Sequence, residues 1–215
     1  MNEKKPLESR VYNFEIRAEE NERGHIITGR PIVYESKTDI GPFDEIIRRG
    51  ALDKTDLKDV RFLVNHDLSK IPLARSRRNN GNSTMLLTVD DMGLSIRVDL
   101  DTENNTEARA LYSAVQRGDV SGMSFMFSVE AEEWTDLEGE HPTRTITEIG
   151  TVIEVSAVTF PAYEATDIQA RSKSALDNAR GAVETAKAKS LETVDTDKRS
   201  EELELLKLKN TILGG

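Results

Sequence analysis

Gly118-Asp119-Val120-Ser121-Gly122-Met123-Ser124-Phe125-Met126-Phe127 is the stretch on which the reading of this chain turns. Small residues make a turn, and a serine then stands at the mouth of an apolar run that reads as a buried strand. A strand start holds a hydroxyl rigidly, as a nucleophile requires and an ordinary surface serine does not. Upstream, Val60-Arg61-Phe62-Leu63-Val64-Asn65-His66-Asp67 ends a second apolar run in a histidine. Downstream, Val152-Ile153-Glu154-Val155-Ser156-Ala157-Val158 carries an acid inside a third. Serine, histidine and acid on three separated strand-like segments suggest hydrolase chemistry on a β scaffold.

Around these runs the chain reads as many short strands. Residues 11–18 and 24–33 form two; residues 41–47 form a short extended piece closed by Arg48-Arg49-Gly50; residues 60–65 form a continuous apolar one. Residues 84–89 and 94–100 are joined by Asp90-Asp91-Met92-Gly93, a hairpin turn. Residues 124–132 and 145–159 follow, linked by a polar segment holding Gly139 and Pro142. This many strands predict a mainly β fold with flanking helices, closed or nearly closed into a barrel. One helix is clear, because Ala108, Leu111, Tyr112 and Val115 share a face. Asn104, Asn105 and Thr106 are its cap candidates and Gly118 its stop. A weaker helix is predicted over residues 55–58.

Beyond Tyr163 the chain changes character. Residues 172–215 contain no Phe, Tyr, Trp, Pro or His, so they cannot build a core of their own. The organisation predicted is a flexible N-terminus over 1–9, a globular domain over 10–171 and a helical or disordered appendage over 172–215. Within that appendage residues 175–188 read as helix, and Leu203, Leu206 and Ile212 belong to a leucine stripe.

Composition excludes several chemistries. The chain has 215 residues, 32% of them charged, and no cysteine, so disulfides, thiol catalysis and thiolate metal sites are ruled out. A formal net charge of -10 argues against non-specific nucleic-acid binding, although Arg75-Ser76-Arg77-Arg78 is a local basic cluster, read as a solvated loop. No apolar stretch follows the N-terminus, and no run approaches the ~18 residues of a membrane helix, so neither a secretory signal nor a membrane span is expected. Three scattered histidines give no zinc spacing, and there is no glycine-rich phosphate loop. No metal and no cofactor is expected.

The residue pattern leaves each site candidate with two readings. Ser124 is a nucleophile or a small residue at a strand start, with Ser121 its rival. His66 is a proton shuttle or a structural histidine; His25 and His141 read as surface residues. Asp67 reads as the cap of the turn that follows. Glu154 shares a face with Val152 and Ser156 and either pairs with the histidine or points to solvent, with Glu148 as a substitute. Trp134 reads as packing at a sheet edge.

Taken in order, Gly50-Ala51-Leu52, Asn65-His66-Asp67, Gly93-Leu94, Arg117 through Phe125, Trp134, Arg144-Thr145-Ile146 and Glu154-Val155-Ser156 through Pro161-Ala162-Tyr163 form a set. That set resembles the prohead maturation protease family of tailed bacteriophages, over residues 11–171. The resemblance implies a β-barrel similar to that of the herpesvirus assembly protease. It implies a serine endopeptidase that cleaves scaffold, or the scaffold-like segment of the major capsid protein, and then itself. Its place would be the host cytoplasm, inside the assembling prohead. Portal or other head proteins and self-association enter as further partners; nucleic acid and membrane do not. The family serine maps onto Ser124 and its histidine onto His66. The herpesvirus enzymes have a second histidine as third member; this chain has none in that slot, and Glu154 is taken instead. Those enzymes also use arginines after the serine. Phe125-Met126-Phe127 stands there in this chain, so backbone N–H groups near Gly122 and Met123 are the expected oxyanion donors. The competing readings are a catalytically silent head or scaffold protein with the same barrel, and an unrelated β-barrel binding module.

Overall fold

The computed structural model describes residues 6–12, 16–21, 24–78, 80–159 and 172–185. Its strands are β1 (Leu7–Tyr12), β2 (Ile16–Asn21), β3 (Gly24–Val33), β4 (Thr38–Asp39), β5 (Asp44–Ile47), β6 (Asp59–Val64), β7 (Ala74–Arg77), β8 (Met85–Asp90), β9 (Gly93–Leu100), β10 (Gly122–Thr135) and β11 (Thr143–Val158), with helix α1 (Thr106–Arg117) between β9 and β10. The fold is mainly β. Strand pairing gives two sheets, β1-β10-β11-β5-β4 with β6 and β7 attached, and β2-β3-β9-β8. No single closed ring of pairings runs through the described residues. The chain passes from one sheet to the other between β1 and β2. On the far side β7 and β8 approach, where Thr84 N–H donates to the Arg75 carbonyl at 3.0 Å.

β11 is the spine of the larger sheet. One edge pairs antiparallel with β10 along almost its whole length. Its other edge is shared by two parallel neighbours, β5 against residues 143–146 and β6 against residues 154–157. Register shifts between Met126 and Glu132 mark bulges that let strands of 14 and 16 residues bend. Near the β10 entry both strand faces are covered: Met123, Phe125 and Phe127 are fully buried on one and Ser124 on the other. In β9, by contrast, burial alternates residue by residue, as for a strand with one face in the core.

Local chemistry explains the ends of the elements. Asn105 caps α1 by accepting from Glu107 N–H and Ala108 N–H, and Gly118 closes it at a left-handed φ of 80°. The four apolar residues that predict α1 are the four it buries. Gly93 opens β9 at φ 134°, and a Cβ there would lie 2.1 Å from the Ile32 carbonyl oxygen, so only glycine fits.

Several expectations need correction. Residues 7–9, read as a flexible N-terminus, lie in β1. Of residues 11–18, read as one strand, 11–12 and 16–18 lie in two strands of different sheets. Residues 55–58 form no helix; Asp56 N–H donates to the Gly150 carbonyl at 2.8 Å and bridges Thr151, so sheet pairing outcompetes a helical turn. The Arg75 cluster, read as a loop, is largely β7: Ser76 is fully buried and Arg75 binds Asp59 at 2.6 Å. His25 is not simply a surface residue, since its Nδ1 lies 2.6 Å from Thr102 Oγ1 and its ring packs on Tyr112.

Contacts divide the chain into residues 1–173 and 174–215. A helix, α2, covers residues 172–185. The leucine stripe and the Pro161-Ala162-Tyr163 end of the ordered motif set lie outside the described residues. Among the described residues no helix is long and apolar enough to cross a membrane.

Candidate active site

β11 brings the candidates together. Glu154 and Ser156 are two residues apart, so both point to one face of the strand. Ser124 on β10 stands opposite Ser156, and Leu63 on β6 stands opposite it from the other side. β6 stops at Val64, and the chain then turns through Asn65 and His66, both left-handed at φ 50° and 56°. Such backbone is costly outside glycine and clusters at functional sites. Here it is held by Asn65 N–H donating to Ala157 O at 3.0 Å, and by Asn65 Oδ1 accepting from Thr159 N–H at 3.0 Å. The turn swings the imidazole back over the Glu154–Ser156 face.

Three side chains far apart in sequence therefore form one chain of contacts. His66 Nδ1 meets Glu154 Oε1, and His66 Nε2 lies 2.5 Å from Ser124 Oγ. Ser124 and Glu154 are fully buried, and the His66 side chain is 9% exposed. Ser124 Oγ has a second partner, the Arg10 carbonyl of β1, at 2.7 Å. A hydroxyl has one proton to donate, so with Nε2 unprotonated the two compete for it.

The substitutes lie elsewhere. Ser121 is exposed and precedes β10. Glu148 pairs with Lys54 at 3.4 Å on the surface. Asp67 caps its turn, as expected, accepting from Ser69 N–H at 3.1 Å. Trp134 stacks edge-on against Phe43 at the far end of β10. Of the expected oxyanion positions, Met123 is flanked by Tyr12 and Ala157, and Gly122 stands opposite Val158. His141 lies beside Asp39 and Asp44 in an exposed group, away from these residues in the sheet.

Sequence reasoning missed Arg10. Its carbonyl is a backbone group with no sequence signature, and its side chain has an equally hidden role. Arg10 binds Glu45 at 2.5 and 2.8 Å and Glu8 at 2.5 Å. Arg144 binds the same two acids, at 2.7 Å for Glu8 and 3.1 Å for Glu45, and also Glu132. Burial disfavours the Arg10 cation, but the charge and hydrogen bonds of Glu45, together with the charge of Glu8, outweigh it and drive its pKa up. This network pins β1, and with it the carbonyl that touches Ser124.

A groove of about 430 Å³ lies beside the histidine. Leu63, Leu73, Leu111, Ala114 and Val120 contribute apolar walls. Lys70 and Glu107, paired at 2.8 Å and half exposed, stand at its solvent side. Asn65 and Asp67, which flank His66 in the chain, also line it.

Comparison with known proteins places this geometry in context. Among curated proteins none matches the chain in sequence. Of solved structures, the bacteriophage T4 capsid assembly protease, gp21, is similar at 12% identity and a TM-score of 0.34, covering 70% of this chain and 98% of that one. The family model described as caudovirus prohead serine protease matches residues 12–180, and the chain belongs to that family.

Proposed function

We propose that the protein is a serine endopeptidase of head maturation, with Ser124 as nucleophile, His66 as general base and Glu154 as the acid that orients the imidazole. The observation that carries this reading is the continuous contact from Glu154 through His66 to Ser124 Oγ. Glu154 fixes the tautomer with the proton on Nδ1, which leaves Nε2 able to accept. Ser124 Oγ attacks the scissile carbonyl carbon while its proton passes to Nε2. The tetrahedral oxyanion is assigned to backbone N–H donors near Gly122 and Met123, at the start of β10. As the intermediate collapses, Nε2–H protonates the leaving amine and an acyl-enzyme ester remains. Water attacks the ester with Nε2 again as base, releasing the acid and restoring the serine.

The substrates proposed are scaffold, or the scaffold-like segment of the major capsid protein, and the chain itself, inside the prohead in the host cytoplasm. The groove beside His66 is assigned to the peptide flanking the scissile bond. Residues 10–171 are taken as the protease domain, and residues 172–215 as an appendage trimmed during maturation. The two sheets are taken as the walls of a herpesvirus-protease-type barrel, with seams between β1 and β2 and between β7 and β8. The enclosure of Ser124 by the Arg10 carbonyl favours one alternative, a catalytically silent head protein of the same fold. Co-expression with the cognate capsid protein and intact-mass measurement separates them. Cleaved product with the parent chain and none with Ser124→Ala supports the peptidase; uncleaved capsid protein with both supports the silent protein.

A further inference from the structure

Ser156 lies at the centre of the site, but the serine–histidine–acid mechanism gives it no task. Its side chain is fully buried. Its Oγ donates to Glu154 Oε2 at 2.6 Å and accepts from the His66 backbone N–H at 3.0 Å. The other Glu154 oxygen meets the His66 ring. The result is a closed loop of contacts: His66 backbone, Ser156 hydroxyl, Glu154 carboxylate, His66 imidazole.

From this loop we propose that Ser156 is a positioning residue, which sets the imidazole against Ser124 by gripping both ends of the His66–Glu154 pair. The proposal rests on the peptidase reading above. Two degrees of freedom would otherwise loosen the pair. The Glu154 carboxylate can rotate about its terminal bond, which is broad and roughly two-fold. A donor on Oε2 stops that rotation and leaves Oε1 facing Nδ1. The His66 backbone is left-handed, a conformation that survives only when its surroundings over-determine it. Its N–H points back over β11, and Ser156 Oγ is the acceptor that meets it. Because the hydroxyl has one proton and lone pairs to spare, it serves both partners at once. β11 supplies Glu154 and Ser156 from one strand face, so the spacing between the two grips is fixed by the pleat.

The test compares Ser156→Ala and Ser156→Thr with the parent chain and Ser124→Ala, using the cognate capsid protein as substrate. Should the parent fail to cleave, or Ser124→Ala retain cleavage, the peptidase reading itself falls. With that control in place, Ser156→Ala is expected to melt cooperatively and to lose kcat ~10–100-fold, with KM within about twofold. Ser156→Thr, which keeps the hydroxyl, is expected to recover most of that loss. A Ser156→Ala kcat within about twofold of the parent overturns the proposal, as does a loss confined to KM. Where the alanine chain does not fold, Ser156→Cys takes its place, since it keeps the volume but replaces the strong donor by a weak one. Parental kcat in that chain overturns the proposal, and lowered kcat at unchanged KM supports it.

Discussion

The Ser124 hydroxyl has one proton and two acceptors within reach, His66 Nε2 and the Arg10 carbonyl. Attack on a peptide requires that proton to go to Nε2. Ser124→Ala removes the nucleophile and one buried hydroxyl, and it leaves the strand pairings intact. It is expected to lower kcat by ~10³-fold or more, with a melting temperature close to the parent's, read by cleavage assay and calorimetry. Glu154→Gln keeps the shape but replaces the carboxylate that holds the Nδ1 proton. Its kcat is expected to fall ~10²–10⁴-fold at unchanged substrate binding. A parental rate in that variant would remove Glu154 from the mechanism. At this scale much was legible in the chain. Ser124 opens an apolar run, His66 follows the end of one and Glu154 lies inside a third, and a polar group buried with such a run needs a partner. The partner of the Ser124 hydroxyl on β1 was not legible, because a carbonyl belongs to every residue.

Among the elements, α1 and the β8–β9 hairpin were readable because their signals are local: a helical stripe, a cap, a turn. Gly93 is the sharpest case. Gly93→Ala would press a Cβ onto the Ile32 carbonyl oxygen and strain φ, and a loss of about 2–4 kcal/mol is expected in urea denaturation. The α1 groove offers a functional test at the same scale. Ala114→Trp is expected to fill it and to raise KM for the capsid protein, while labelling of Ser124 by a small fluorophosphonate proceeds at the parental rate. Equal KM in parent and variant would place the peptide elsewhere. The elements that sequence misjudged were all decided by distant pairing. β7 is a strand because β6 supplies its ladder, and residues 55–58 form no helix because β11 captures Asp56.

Across the whole molecule, one buried charge network ties β1, β5, β10 and β11 together. It places Arg10, Glu45 and Arg144 at 2% exposure or less, and breaking one member leaves charges without compensation. Burial pushes the Glu8 carboxyl up, but hydrogen bonds and charge from Arg144 and Arg10 outweigh it and hold its pKa at about 2, below the ordinary 4.5. A pKa depressed on folding contributes stability in full above pH 4.5, and that stability is lost as pH falls toward 2. The contribution is on the order of 3 kcal/mol. Chemical denaturation of the parent and Glu8→Gln should therefore converge as pH drops from 5 to about 2, with the parent more stable at pH 7. Parallel pH curves for the two chains would show that Glu8 is not held ionised by its arginines. The same network fixes β1 over Ser124, so the site's enclosure and the molecule's acid stability share one set of residues.

Local composition and periodicity sufficed for a mainly β protein with one capped helix and for the identity of the buried runs, and they left Ser124, His66 and Glu154 with two readings each. They did so because apolar spacing, caps and turn residues act over a few neighbours. Which strands pair, where Arg10 and Ser156 point, and that residues 88 apart meet at a single imidazole were decided only by folding. Those contacts depend on sheet order and register, and no local stretch of chain encodes the distance between two strands that have yet to meet.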